Sequence, residues 1–117
     1  MNKILKQIVK TCNLIQNDNY SFCYEPICAY EYTGTMLSYN KEQNNVGIAE
    51  FVTYSFDNNT NTPIIMFCGF IYFNLDTNNY TNIIQHINDL IIQLRSCETS
   101  IKQSLINEQL ELVKKDF

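Results

Sequence analysis

At 117 residues, 45% hydrophobic, 13% aromatic and only 17% charged, the chain has the composition of one folded domain and lies far from the charge-rich regime of disordered proteins. A formal net charge of -4 is the wrong sign for a protein that grips nucleic acid by neutralising phosphates. Only three glycines occur, at 34, 47 and 69, and none precedes a helical pattern, which excludes the glycine-rich phosphate loops of Rossmann and P-loop enzymes.

The first segment predicts an amphipathic helix from about Lys3 to Gln16. Ile4, Leu5, Ile8, Val9, Cys12 and Ile15 recur every three or four positions, with Lys3, Lys6 and Lys10 on the other faces. From Tyr20 to Asn74 the residues become β-branched and aromatic, broken by turn-forming clusters at Thr33-Gly34, 40–45 and 57–63. These breaks predict strands near 20–25, 27–39, 46–56 and 64–74, and connections of hairpin length make them an antiparallel meander.

Alternation is clearest in 46–56, where Val46, Ile48, Glu50, Val52, Tyr54 and Phe56 share one face and Gly47, Ala49, Phe51, Thr53 and Ser55 the other. The 64–74 strand is apolar on both sides: Ile64, Met66, Phe70 and Tyr72 oppose Ile65, Phe67, Ile71 and Phe73. Such a strand belongs in the middle of a sheet or at an interface that covers its second face. As an apolar run it has about half the length of a membrane helix.

Helical periodicity returns after Asp76 with Ile83, Ile84, Ile87, Leu90, Ile91 and Leu94, then Ile101, Leu105, Leu112 and Val113. Ser100 followed by Gln103 fits a capping box and predicts two helices, about 78–96 and 100–115. The alternative is one long helix lying along a partner, since Ile84, Ile87, Ile91 and Leu94 resemble a short heptad seam. The expected fold is a single α+β domain over 1–117: an N-terminal helix, a four-stranded antiparallel meander, and one or two C-terminal helices packed on one face of the sheet.

No residue set stands out as catalytic or metal-binding. Cys23 and Cys28 lack a second close Cys/His pair to complete a zinc site. The single histidine, His86, is roughly 16 Å from Cys97 along a helix, so neither supports the other as nucleophile and base. No cofactor is expected. An odd cysteine count and a first segment without a signal-peptide core favour a reducing, cytoplasmic setting.

Charge is distributed more tellingly than its total. Between 18 and 76 the acidic residues Asp18, Glu25, Glu31, Glu42, Glu50, Asp57 and Asp76 face Lys41 alone. The same span holds seven of the eight tyrosines, side chains that give large, stiff contact area with a polar tip. Tyr24, Glu25, Tyr30, Glu31, Tyr32, Glu50 and Tyr54 are therefore the candidate partner-binding residues. They point to a non-catalytic protein-interaction module that binds a basic protein, with no direct nucleic-acid or membrane binding. Abundant Asn and Ile suggest AT-rich codons, and with small size and acidity they fit a phage or mobile-element inhibitor of a nucleic-acid-handling defence protein. Two alternatives stand beside it: a homodimeric adaptor or chaperone paired through 64–74 and the C-terminal helix, and a small-ligand or nucleotide sensor or enzyme with Cys68, Tyr72 or His86 lining a pocket between sheet and helices.

Overall fold

The computed structural model describes residues 2–24 and 30–115. The first helix, α1, spans Lys3–Thr11. Asn2 caps it, its Oδ1 accepting from the N–H of Ile4 at 2.7 Å and Leu5 at 3.3 Å, so two otherwise orphaned donors are satisfied. Contrary to the expected end at Gln16, the helix stops at Thr11, because Asn13 takes a left-handed conformation with φ 55°, a stop that asparagine tolerates. Leu14–Gln16 then form β1, antiparallel to β2 at Ser21–Tyr24. Ile15 fits a helical repeat and a strand equally well, which is why periodicity alone ran the helix too far.

Six further strands follow: β3 (Glu31–Thr33), β4 (Leu37–Asn40), β5 (Asn45–Ile48), β6 (Phe51–Phe56), β7 (Pro63–Cys68) and β8 (Ile71–Asn74). They do not make one four-stranded meander. A five-stranded antiparallel sheet runs β1-β2-β4-β5-β8, and a three-stranded sheet runs β3-β7-β6 with β3 parallel to β7. The start of the expected 27–39 strand lies outside the described residues, and its remainder is divided at Gly34, whose φ of 82° no ordinary strand residue adopts. That turn sends β3 to one sheet and β4 to the other.

The expected strands 46–56 and 64–74 each become two short ones, yet their pairing is a single hairpin. Ile48 pairs with Ile71, and three positions further along both strands Phe51 pairs with Cys68, so the register is unbroken from Asn45↔Asn74 to Phe56↔Pro63. A bend separates the halves. There Ala49 N–H donates to Met36 O at 2.9 Å and Glu50 N–H to Cys68 O at 2.9 Å, while Gly69 takes φ 70°. The ladder of Ala49 thus passes to the β4 side.

The C-terminal segment is one helix, α2, of 36 residues at Tyr80–Lys115. It has no Gly or Pro to break it. The expected cap near Ser100 is not used, as Cys97 and Ile101 are both buried and carry the apolar stripe straight through. The core joins Leu5 and Ile8 of α1 to Phe22, Leu37, Val46 and Ile48 of the larger sheet, Val52, Ile65 and Phe67 of the smaller, and Ile83, Ile87, Leu90, Leu94 and Ile101 of α2. Among the described residues Ile101 is the last fully buried one on α2, with Leu105 partly buried beyond it, and the molecule measures 61 × 25 × 20 Å. Its radius of gyration of 17.1 Å exceeds the roughly 13 Å of a compact chain this long, because α2 outruns the body.

Candidate functional site

The hairpin has an inner side facing α2 and an outer side. On the inner side β6 is the edge strand of its sheet among the described residues, and α2 supplies partners to its backbone and to the bend before it. His86 Nε2 donates to Ala49 O at 2.8 Å, Gln93 Oε1 accepts from Val52 N–H at 2.8 Å, and Cys97 Sγ lies 3.8 Å from Val52 O as a weak donor. Positions 86, 93 and 97 recur on one helical face, so the helix closes the sheet edge. His86, a pocket residue in the ligand-binding alternative, bonds the bend at Ala49 and packs its ring 6.0 Å from Phe73.

The thiols on this side are shielded. Burial pushes the Cys12 thiol up to about 11 and raises that of Cys97, with the Glu98 carboxylate adding to the latter. At Cys12 the thiolate, the reactive form, is scarcer than in an ordinary thiol by about a hundredfold. Treatment of the native protein with iodoacetamide at pH 8 should leave Cys12 and Cys97 unmodified while the half-buried Cys68 reacts. Peptide mass mapping reads this, and equal labelling of Cys12 and Cys68 would show that the core opens readily.

The outer side carries Ile64, Met66, Cys68, Phe70 and Tyr72 from one strand path, and Phe51, Thr53 and Ser55 from the other. Here the second apolar face foreseen for 64–74 is open to solvent: Phe51 is 47% exposed, Phe70 45% and Tyr72 69%. Phe70 and Tyr72 stack with centroids 6.2 Å apart and planes inclined by 25°. Gly47 makes room for them, since a Cβ there would come within 2.9 Å of Tyr72 Cε1 and 3.1 Å of Phe70 Cδ1. Glu31 sits beside Ile64 on this outer side, and the exposed Glu50 folds its side chain over Gly69, between Cys68 and Phe70.

Of the residues picked out by sequence, the structure puts Glu31 beside Ile64 and Glu50 over Gly69 at the bend, apart from one another, and turns most of the tyrosines elsewhere. Tyr24, Tyr30 and Tyr54 are partly buried against the core. The Tyr24 hydroxyl accepts from Arg95 Nη2 at 2.9 Å. Tyr32 and Tyr54 flank Ile65 in one row on the helix-facing side, Tyr32 meeting Phe67 edge-on at 6.1 Å. Glu25 lies outside the described residues. Phe51, Phe70 and Tyr72 lie outside the candidate partner-binding set, although the double apolar pattern of 64–74 places the last two at an interface in the homodimer alternative.

A pocket shared by Cys68, Tyr72 and His86 does not form, because the first two lie outside the hairpin and His86 inside. A cleft of about 460 Å³ elsewhere on the molecule is lined by Asn2, Gln16, Asn19, Tyr20, Tyr39 and Lys41, a set with no carboxylate, imidazole or thiol to act as base or nucleophile. Among the described residues no group of His, Cys, Asp and Glu is arranged to hold a metal ion, and no helix is long and apolar enough to cross a membrane. No family model matches the chain, and neither a curated protein nor a solved structure matches it.

Proposed function

We propose that the chain is a non-catalytic protein-interaction module that docks a basic, partly apolar surface of a larger protein onto the outer side of the hairpin. The observation that carries this reading is the exposure of Phe51, Phe70 and Tyr72 on one side of a strand pair whose other side is core. Three half-open rings leave roughly 300 Å² of aromatic surface, the scale at which exposed patches mark interaction sites. Glu50 next to the rings, and Glu31 farther along the same side beside Ile64, favour a cationic partner and reject an acidic one. In its finer form, the module is a phage or mobile-element inhibitor of a nucleic-acid-handling defence protein, a reading supported by small size, acidity and an Asn- and Ile-rich composition. It has the electrostatic sign of a competitor for a phosphate-binding surface.

The test is capture of a partner from lysate of the source cells on immobilised protein, at low and at about 0.5 M salt, where exposed charge pairs are screened. Tyr72→Ser with Phe70→Ser should abolish capture, and Glu50→Lys should weaken it at low salt. Gly47→Ala is the sharper probe. Its new methyl meets the movable end of the Tyr72 ring, so melting should shift by only a few degrees while the displaced platform costs at least tenfold in affinity. Undiminished capture by the double serine variant would refute the surface assignment.

A further inference from the structure

A second apolar stripe lies on the far side of α2. Ile106, Leu110 and Val113 are 50%, 54% and 53% exposed; Ile92, 66% exposed, shares their face but lies about 21 Å nearer the body, beyond Arg95 and Thr99. At about 100° per residue, this stripe points away from the face that buries Leu94, Cys97 and Ile101. Lys102 and Lys114, both exposed, flank it on either side, whereas Glu108 and Glu111 fall about 140–160° from its centre. The spacing i, i+4, i+7 is that of a helix that lays anchors on an apolar surface. The outer side of the hairpin is such a surface, with the opposite charge on the same side.

From this complementarity we propose that the end of α2 in one molecule docks on the outer hairpin side of a second copy, with Ile106, Leu110 and Val113 over Phe51, Phe70 and Tyr72, and Lys102 and Lys114 toward Glu31 and Glu50. The proposal rests on the reading of that hairpin side as an interaction surface and names one occupant for it. A second copy paired ridge to ridge would set Glu31 and Glu50 against themselves. Two copies paired stripe to stripe would set lysines along both flanks with no acid between them. Only the crossed arrangement matches apolar to apolar and positive to negative. Such a contact uses two different patches, so it is heterologous and leaves one free patch at each end. The self-association therefore competes with any other partner for the same rings.

Sedimentation velocity on the full chain from about 5 to 500 μM tests this, with two variants that each remove one patch: Ile106→Ser/Leu110→Ser and Phe70→Ser/Tyr72→Ser. All four positions are exposed, and circular dichroism checks that both variants fold. The wild type should grow past the dimer as concentration rises. Each variant alone should remain monomeric, and their equimolar mixture should form a dimer and nothing larger, since one intact stripe then meets one intact ridge. A wild type that stays monomeric throughout, or either variant that still self-associates, overturns the proposal. The surface assignment itself is judged separately by partner capture: a monomeric wild type whose serine variant loses capture sinks only the self-docking, while undiminished capture sinks the ridge.

Discussion

Gly34→Ala should lower unfolding stability by about 3 kcal/mol, through strain at a positive φ and overpacking together. At roughly 4 °C per kcal/mol for a domain of this size, melting should fall by more than about 10 °C. Gly34 holds φ 82°, and a Cβ at this position would run into the carbonyl oxygen of Phe67. That oxygen belongs to the backbone of the central strand of the three-stranded sheet and has nowhere to go. Gly69→Ala provides the comparison. It also has a positive φ, but its obstructions are the carboxylate at 2.8 Å and Cβ at 3.0 Å of the exposed Glu50, a side chain that can move aside with a small shift, so the loss should be smaller, about 1–2 kcal/mol. Denaturant titration of both variants decides the matter, and equal losses would show that the close approach at Phe67 contributes nothing.

The second large effect concerns the closure of the β6 edge by α2. His86→Ala strands the Ala49 carbonyl and Gln93→Ala strands the Val52 N–H, both in part-buried surroundings. Each loss should cost about 1–2 kcal/mol, and the two sites, two helical turns apart, should add to about 3 kcal/mol. Gln93→Glu keeps an acceptor for Val52 N–H and should lie nearer the wild type than Gln93→Ala. Amide hydrogen exchange gives the site-specific readout, with protection at Val52 dropping in Gln93→Ala and surviving in His86→Ala. Unchanged protection at Val52 in the Gln93→Ala protein would mean that the helix covers the strand without bonding to it.

Much of the architecture is legible in the residues themselves. The faces read from 46–56 hold in part: Val46, Ile48 and Val52 are buried inward and Phe51 and Ser55 are exposed, but at the bend Ala49 is buried in the core and Glu50 is exposed, the reverse of their alternation, and Gly47 is covered by Phe70 and Tyr72. The α+β class, the N-terminal helix and the strand-rich middle hold as well. What the sequence hid depends on long-range contact. Nothing local says that β3 pairs in parallel with β7, because the reason is the turn at Gly34 and the close approach of its backbone to Phe67. Ser100 and Gln103 fit a helix start, but in the folded chain Ile101 is buried and the preceding turn has no cause to unwind. The candidate tyrosines failed to gather for a similar reason: alternation places neighbours such as Glu31 and Tyr32 on opposite faces, so a sequence cluster is split by the strand that carries it.

The long hairpin has a consequence for how the chain reaches its native state. Strand register is ordinarily selected because a slip by one residue would drag the greasy side chains into water. Here the slip would exchange Ile64, Met66, Phe70 and Tyr72 for Ile65, Phe67, Ile71 and Phe73, and the two sets are almost equally apolar, so hydrophobicity scarcely distinguishes right from wrong. The discrimination falls to small features: the vacancy over Gly47 that admits one ring pair, and the polar side chains of α2 that match only one set of carbonyls and amides. Proofreading of the hairpin must therefore come after the helix docks, and a chain truncated before α2 should populate both alignments.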